Sequence, residues 1–186
     1  MFLDDAQLRT ASWRLRHSPE AIKTLGVWRW KGIQQHMDRI LELCCGRRVI
    51  DFGGADGPLG LGSTVVDLSA ERKTLDDVPG PVDVIFTSHC LEHVDDLGGT
   101  LAAFYAKLST GGHVIIHVPA YTCGRWRAGC YASETQTKHL HNFSLSLGAV
   151  GVPFTPIDLE VGKLFGVIKA EYCGDNSIFI IGQKCD

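Results

Sequence analysis

The residues best suited to chemistry are two acids, each placed where a short apolar run ends. Asp51 follows Val49-Ile50 and opens a glycine-rich loop, D51-F52-G53-G54-A55-D56-G57-P58. Glycine lets the backbone adopt a positive φ and lets a ligand lie against bare N–H groups. Asp67 ends the next apolar run, T64-V65-V66. Because a carboxylate can accept two hydroxyl donors at once, Asp67 is suited to binding the vicinal hydroxyls of a ribose.

Parallel strands would place both acids at one edge of a sheet. The apolar runs are short and nearly continuous, which is typical of buried parallel strands. Four such strands are predicted over 48–52, 64–67, 82–88 and 113–118. In open α/β sheets, ligands bind at the carboxyl ends of the strands, where the strand order reverses. The two acids therefore mark the predicted binding site.

Two further strands, over 164–172 and 177–183, are separated by the turn residues Gly174-Asp175-Asn176. A turn this short joins antiparallel strands. We therefore predict an α/β fold, a Rossmann-like, doubly wound and mostly parallel sheet with a C-terminal antiparallel hairpin.

The helices that connect the strands are predicted to be trimmed. Apolar residues recur at helical spacing before the first strand and again after the third. The two stripes are Ile33, Met37, Ile40, Leu41 and Cys44, with Gly46 as a stop, and Leu97, Leu101, Phe104 and Leu108, ended by Gly111-Gly112. After Gly57, by contrast, G-P-L-G-L-G is a poor helix former, so the first crossover should be tight and mostly irregular. We predict one domain, with an N-terminal arm and helix over 1–46 and a ligand-binding core over 47–186.

Composition excludes several classes of protein. The 186 residues suit one domain, and the net charge of −3 offers no basic field for nucleic acid. No apolar run approaches the roughly 18 residues of a membrane span. The seven cysteines are odd in number and form no C-x-x-C motif. Reduced thiols in a cytoplasmic protein are therefore expected.

The histidines do not predict a metal site. His89 and His93 have H-x-x-x-H spacing but lie at a corner between a strand and a helix, not clearly on one helix face. No cluster of acids and cysteines completes a four-ligand set with them. We therefore expect no bound metal.

Two other nucleotide-binding patterns also fail. A dinucleotide site requires G-x-G-x-x-G after the first strand, and this chain has Ala55 and Pro58 at the later glycine positions. Pro58 also spoils the helix N-terminus that would hold a pyrophosphate. The sequence contains no G-x-x-x-x-G-K-[ST] segment, so a P-loop is excluded as well.

Four motifs in order resemble those of the class I S-adenosylmethionine-dependent methyltransferases, in their small, single-domain form. They are the glycine-rich loop from Asp51 to Gly57, the strand-end acid in VVDLS, the segment FTSHCLEHVDD over 86–96 and the segment LSTGGHVIIHVP over 108–119. The resemblance spans residues 48–184 and includes the closing antiparallel hairpin. It implies S-adenosylmethionine as the cofactor.

The resemblance and the residue chemistry together assign a cofactor site. Backbone groups of the loop would bind the methionyl end, Asp51 would fix the loop or reach the amine, Asp67 would bind the ribose, and Leu68 would pack on the adenine. Asp77 or its neighbour Asp76 would accept the adenine amino group, and by resemblance Ser88 and His89 line the pocket. The predicted cofactor-binding residues are Asp51, Gly53, Gly54, Ala55, Gly57, Asp67, Leu68, Asp77, Ser88 and His89.

The methyl acceptor should lie near His93, which the resemblance places beside the substrate and whose pKa suits a general base. Arg125, Trp126, Arg127 and His139 are the candidate acceptor-binding residues, since arginine binds anions and tryptophan offers a stacking face. The predicted function is methyl transfer to a small-molecule or sugar/glycan acceptor, in a chain that could form a homodimer. The alternatives are an inactive domain that keeps the fold for interaction and an oxidoreductase with a degenerate dinucleotide loop.

Overall fold

A computed structural model describes residues 26–123, 139–146 and 154–186. Eight strands occur in these residues. They are β1 (Val49–Phe52), β2 (Thr64–Val66), β3 (Val82–Ser88), β4 (Leu108–Pro119), β5 (Phe143–Ser144), β6 (Thr155–Pro156), β7 (Gly166–Tyr172) and β8 (Ser177–Gln183). Six of them form one sheet in the order β2-β1-β3-β4-β8-β7, and β5 pairs with β6.

The sheet reverses its strand order between β1 and β3. β1 pairs in parallel with β2 on one side and with β3 on the other, and β4 continues in parallel beyond β3. β8 is antiparallel to both β4 and β7. This arrangement confirms the predicted fold class, a doubly wound and mostly parallel sheet closed by an antiparallel hairpin.

In the part of the chain that the structure describes, four short helices accompany the sheet: α1 (Lys31–Gln35), α2 (Met37–Cys44), α3 (Leu97–Lys107) and α4 (Ile157–Gly162). Three single 3₁₀ turns occur at Gly26–Arg29, Leu75–Asp77 and Leu91–His93. All five residues of the first predicted stripe are buried. The helix is nevertheless interrupted at His36, whose φ of −113° and ψ of 13° separate α1 from α2. Gly46 follows α2 with a φ of 71°.

The predicted end of α3 was wrong. The helix starts as expected, with the Asp96 carboxylate accepting a hydrogen bond of 2.8 Å from the Gly99 N–H. It ends at Lys107 rather than at Gly111-Gly112, and β4 begins at Leu108 rather than at 113. Leu108 pairs with Val82 across a register shift, so strand pairing captures the residue that the helical pattern had claimed.

The two faces of the sheet are covered by different elements, because successive side chains of a strand point to opposite faces. One face packs against the 3₁₀ turn at 26–29 and helices α1 and α2; its strand residues are Val49, Val84, Phe86, Ile115, Phe179 and Ile181. The other face packs against α3 and α4; its strand residues are Ile50, Ile85, Val114, Ile116, Ile178 and Ile180. This double cover makes the strands rigid supports for the loops at their carboxyl ends.

The connection from β1 to β2 has no helix anywhere in residues 53–63, all of which the structure describes. The segment at residues 26–30, here called the N-terminal segment, covers this connection instead. The Trp28 indole N–H donates a 2.9 Å hydrogen bond to the Leu59 carbonyl. A Cβ on Gly26 would overlap the backbone of Gly57 and Pro58. The predicted irregular crossover is therefore confirmed and is held in place from outside the sheet.

Within the described residues, no helix has the length and apolar character needed to cross a membrane.

Candidate active site

Two adjoining clefts open at the carboxyl ends of the parallel strands. The larger, of about 510 Å³, is lined by Phe52, Gly53, Asp56, Val66, Asp67, Leu68, Lys73, His89, Cys90, His93, Val94 and Asp95. The smaller, of about 260 Å³, is lined by Val27, Arg29, Trp30, Gly53, Asp56, Gly57, Ser88, His89, Glu92, His93 and His139. Because Gly53, Asp56, His89 and His93 line both clefts, a single elongated ligand could occupy the two together.

Asp51 holds the glycine-rich loop in place through a buried hydrogen bond. Its side chain is buried, and Oδ2 accepts a 2.6 Å hydrogen bond from the Leu59 N–H. A Cβ on Gly54 would overlap the same carboxylate, which explains why glycine follows there. Burial raises the pKa of Asp51 to about 6, with the Asp67 charge acting in the same direction and the hydrogen bond from Leu59 opposing it. Of its two predicted roles, the geometry supports the one of fixing the loop.

Gly53 brings the loop back across the sheet edge. It has a φ of 79°, and its N–H donates a 2.9 Å hydrogen bond to the Val66 carbonyl of β2. A Cβ at this position would overlap the Cys90 side chain. The loop therefore leaves β1 tightly pressed against the segment that follows β3. Because Gly53 lines both clefts and has no side chain, it places no side-chain atoms in either of them.

Asp67 and Leu68 present complementary surfaces to the larger cleft. Asp67 Oδ1 accepts hydrogen bonds from the Ser69 N–H at 2.8 Å and the Ser69 hydroxyl at 2.7 Å. Burial is the largest influence and raises the pKa of Asp67, but the hydrogen bonds from Ser69 and the Ala55 N–H outweigh it, so the net pKa is lowered. Leu68 is 83% exposed. An ionised acid thus lies beside a largely exposed apolar side chain.

Asp77 lies outside both clefts in the described structure. Its Oδ2 accepts hydrogen bonds of 2.9 Å from the Lys73 and Thr74 N–H groups, and it completes a capping box with Thr74. These backbone hydrogen bonds lower the pKa of its carboxyl group. Its contact with adenine remains a prediction.

A chain of hydrogen bonds, buried at its centre, connects Ser88 to the turn between β7 and β8. The Ser88 hydroxyl lies 2.9 Å from His117 Nδ1, and His117 Nε2 lies 2.8 Å from the Ser177 hydroxyl. Ser177 in turn donates to Asp175 Oδ1, and Asp175 Oδ2 accepts a 2.7 Å hydrogen bond from the Gly32 N–H. Burial lowers the pKa of His117 to about 3, helped by the nearby His89, so His117 is neutral.

His89 lies at a strained corner between the two clefts. Its φ is 51°, a conformation that residues other than glycine rarely adopt, and its N–H donates a 2.8 Å hydrogen bond to the His117 carbonyl. The Trp30 ring stacks on the His89 ring with 4.4 Å between centroids and 22° between planes. The N-terminal segment therefore supplies a wall of the smaller cleft.

His93 and His139 come together across the opening of the smaller cleft. Their rings form an edge-to-face pair with 4.6 Å between centroids, and Glu92 lies beside them. His93 is exposed, whereas His139 is buried. The remaining predicted acceptor-binding residues, Arg125, Trp126 and Arg127, lie outside the described residues.

Several residues of the site were not predicted as site residues. Arg29 and Trp30 precede the predicted core, and Glu92 and His117 lie within two of the family motifs without having been assigned a role. Asp175 was visible only as a turn residue. Their roles come from contacts between segments that are far apart in the chain.

Comparison with known proteins identifies the family. A protein-family model described as a methyltransferase domain matches residues 11–146. The chain belongs to the class I S-adenosylmethionine-dependent methyltransferases. It is an enzyme whose cofactor is S-adenosylmethionine. A search of curated proteins finds no significant match for this methyltransferase.

Solved structures share the fold at low sequence identity. A putative methyltransferase from Haloferax volcanii, solved in complex with the activator Trm112, aligns with a TM-score of 0.64 at 12% identity over 100% of both chains. The N-methyltransferase NodS from Bradyrhizobium japonicum, solved with S-adenosylhomocysteine, aligns with a TM-score of 0.56 at 13% identity over 96% of this chain and 99% of that one.

A third structure is the 1,6-didemethyltoxoflavin-N1-methyltransferase from Burkholderia thailandensis, solved with 1,6-didemethyltoxoflavin and S-adenosylhomocysteine. It aligns with a TM-score of 0.54 at 18% identity over 100% of this chain and 93% of that one.

The cleft of this methyltransferase fits its cofactor. Asp67 is ionised and borders the larger cleft, so its carboxylate suits hydroxyl donors. Leu68 offers apolar surface next to it, and Gly53 keeps the floor free of side-chain atoms. The lack of a helix after β1 leaves no helix N-terminus for a pyrophosphate, in agreement with the failure of the dinucleotide pattern.

Proposed function

We propose that this methyltransferase transfers a methyl group from S-adenosylmethionine to a small-molecule or sugar/glycan acceptor. The observation that carries the proposal is the pairing of Asp67 with Leu68 at the wall of the larger cleft. An adenosine has matching features, since its ribose carries two hydroxyl donors and its adenine presents an apolar face. Leaving Leu68 83% exposed costs free energy that an adenine would recover on binding.

The cofactor residues divide between the two clefts. In the larger one, Asp67 would bind the ribose and Leu68 would pack on the adenine, with Asp77 proposed for the adenine amino group. In the smaller one, Ser88 would accept a hydrogen bond from the methionyl ammonium and Arg29 would pair with its carboxylate. The loop residues Gly53, Gly54, Ala55 and Gly57 would contribute backbone groups, and His89 would line the junction. Asp51 holds this loop in shape through Leu59.

The chemistry requires a methyl acceptor to lose a proton. When bound, S-adenosylmethionine would supply a sulfonium methyl group for attack by an acceptor lone pair, and the electron pair of the broken carbon–sulfur bond would stay on sulfur. In the simplest form of the proposal, His93 accepts the acceptor's proton, because its side chain is exposed at the point shared by the two clefts. The protein contributes mainly orientation and removal of water.

The acceptor proposal is supported by the size of the smaller cleft and by the neighbours. The smaller cleft, of about 260 Å³, would also hold the methionyl end of the cofactor, so the space left at its opening favours an acceptor no larger than a small molecule or one sugar unit. Two solved neighbours are named as N-methyltransferases, one of them with bound 1,6-didemethyltoxoflavin. Arg125, Trp126, Arg127 and His139 remain the proposed acceptor contacts.

Calorimetry with S-adenosylmethionine and S-adenosylhomocysteine tests the cofactor part of the proposal. We expect micromolar binding of both, and a Leu68→Ser variant should bind several-fold more weakly without losing stability, because Leu68 is 83% exposed. Val167→Ser is the matched control, since Val167 is also an exposed apolar residue but lies on β7. Absence of binding at millimolar ligand would overturn the proposal.

The acceptor class is tested with methyl-labelled cofactor and a panel of small molecules, monosaccharides and oligosaccharides. Mass spectrometry of the products should show the gain of one methyl group. Label found only on protein or nucleic acid would refute the acceptor assignment while leaving the cofactor assignment intact.

The proposal also includes a partner chain, in the form of a homodimer. The sequence allows a homodimer, and the Haloferax volcanii neighbour was solved with an activator protein. Light scattering of the purified chain distinguishes a monomer from a homodimer.

A further inference from the structure

Three metal-ligating side chains meet at the opening of the smaller cleft. Glu92 and His93 lie in the 3₁₀ turn Leu91–His93, and His139 comes from a segment more than forty residues later in the chain. One ligand atom from each lies within 4.8 Å of the other two. We propose that Glu92, His93 and His139 bind a divalent first-row transition-metal ion beside the bound cofactor.

The environment of Glu92 points to a cation. Its side chain is 1% exposed, and among the described residues neither carboxylate oxygen has a hydrogen-bond partner. The nearest positively chargeable atom is His89 Nδ1, at 3.4 Å from Oε1. A buried carboxylate without hydrogen bonds is costly, and native proteins seldom retain one without a compensating charge. A bound metal ion would supply that charge directly.

The backbone holds the two ligand segments together independently of any ion. The Leu140 N–H donates a 2.7 Å hydrogen bond to the Glu92 carbonyl, so His139 is placed next to Glu92. Two residues further along the chain, His141 Nε2 lies 2.9 Å from the Val94 carbonyl. These two contacts fix residues 139–141 against residues 92–94. The cluster is therefore built by the fold and is not a chance approach of mobile side chains.

The donor set selects the type of ion. Two imidazole nitrogens and one carboxylate oxygen suit zinc, manganese, iron and cobalt better than magnesium or calcium, which prefer oxygen alone. Ligand atoms around a tetrahedral ion with bonds of about 2.1 Å lie about 3.4 Å apart. Since the three atoms lie within 4.8 Å of one another, the widest pair must approach by up to about 1.4 Å. Rotation of the exposed His93 side chain can supply this movement. Three protein ligands leave a coordination position open for a water or an acceptor atom.

The consequence for catalysis rests on the proposed function, whereas ion binding itself does not. A metal-bound His93 nitrogen has no lone pair left to accept a proton. In the loaded enzyme the ion would instead bind the acceptor oxygen and lower the pKa of its hydroxyl group, and the released proton would pass to solvent. His93 and His139 would then be ligands that position the acceptor.

Metal binding is measured on protein that has been treated with a chelator and dialysed. Calorimetry with zinc should show one ion per chain, and cobalt should give visible absorption bands that report nitrogen and oxygen ligands. His139→Ala and Glu92→Gln should each weaken binding at least tenfold. His141→Gln is the matched control, because glutamine keeps a donor for the Val94 carbonyl, and it should bind the ion as the unaltered protein does.

Folding is monitored in each variant by circular dichroism and by affinity for S-adenosylhomocysteine. Without metal, Glu92→Gln should raise the thermal unfolding temperature, since it replaces a buried carboxyl group that has no hydrogen-bond partner among the described residues. The proposal is overturned if the unaltered protein binds no ion at micromolar concentration. It is also overturned if the variants His139→Ala and Glu92→Gln bind the ion as tightly as the unaltered protein does. Ion binding without cofactor binding would instead refute the proposed function alone.

Discussion

Ser88 Oγ lies 2.9 Å from Nδ1 of His117. Which of these two atoms donates the hydrogen bond is decided by Asp175, at the far end of the hydrogen-bond chain. Burial opposes ionisation of Asp175, but hydrogen bonds from Ser177 and the Gly32 N–H hold its pKa below the usual value. An ionised Asp175 only accepts, so Ser177 donates to it and must accept from His117 Nε2–H. His117 Nδ1 is then an acceptor, and Ser88 donates to it. The Ser88 oxygen therefore keeps lone pairs that can accept a hydrogen bond from an ammonium group in the smaller cleft.

We expect nitrogen NMR to show His117 in the Nε2–H tautomer. In Asp175→Asn the amide can also donate to Ser177, so the chain loses its single direction and both tautomers should appear. Affinity for S-adenosylmethionine should fall about three- to tenfold, as expected for one weakened hydrogen bond to a charged group. Asp158→Asn is the control, because Asp158 also binds a serine, Ser146, but far from Ser88. An Nδ1–H tautomer in the unaltered protein would contradict this orientation.

Asp67 and Asp77 should differ in their effect on cofactor affinity. Asp67→Asn keeps the shape of the side chain but removes the charge that a ribose diol would contact, so binding should weaken by about 10- to 100-fold, or about 1.4–2.8 kcal/mol. Asp77→Asn alters a capping residue outside both clefts and should change affinity less than threefold. Titration calorimetry compares the two. A larger loss in Asp77→Asn would instead support its predicted adenine contact and weaken the ribose assignment.

Gly54→Ala should destabilise the fold, because the new Cβ would overlap the buried Asp51 carboxylate. The expected loss in the free energy of unfolding is about 1–3 kcal/mol, the usual range for overpacking. Gly98→Ala is the control: it lies in α3, where a Cβ would make an ordinary contact with Asp96 Oδ1 at 3.6 Å. That variant should be about 0.5–1 kcal/mol more stable, since alanine favours helix. Equal urea midpoints for the two variants would show that Asp51 can move aside.

The stability of the protein should carry a pH signature from Asp51. Burial raises the pKa of this carboxyl from 3.8 to about 6 in the folded state. Its contribution to stability is therefore fully present below about pH 4 and is lost as the pH rises through about 6. Asp51→Asn cannot titrate, so its stability relative to the unaltered protein should increase by about 3 kcal/mol from about pH 4 to about pH 7.5. Urea unfolding at several pH values measures this difference, and a difference independent of pH would refute the raised pKa.

The sequence by itself predicted the main sheet and the residues that follow its strand ends. Strand 82–88 was predicted with the bounds that the structure has, because a nearly continuous apolar run of this length is typical of a buried strand. Gly53, Asp67 and Leu68 were predicted as cofactor residues because each lies within a few residues of a strand end, and all three line the larger cleft. At such positions local chain geometry already defines where the backbone points.

Tertiary structure alone decided the relations between distant segments. The sequence pattern extended α3 to Gly111, and only the pairing of Leu108 with Val82 moved that residue into β4. The contact of Trp30 with His89, the chain from Ser88 to Asp175, and the approach of His139 to Glu92 all join residues more than forty positions apart. Residue spacing reports only neighbours along a helix or strand. Contacts across the sheet edge depend on how whole elements pack, so they emerge only once the strands are aligned.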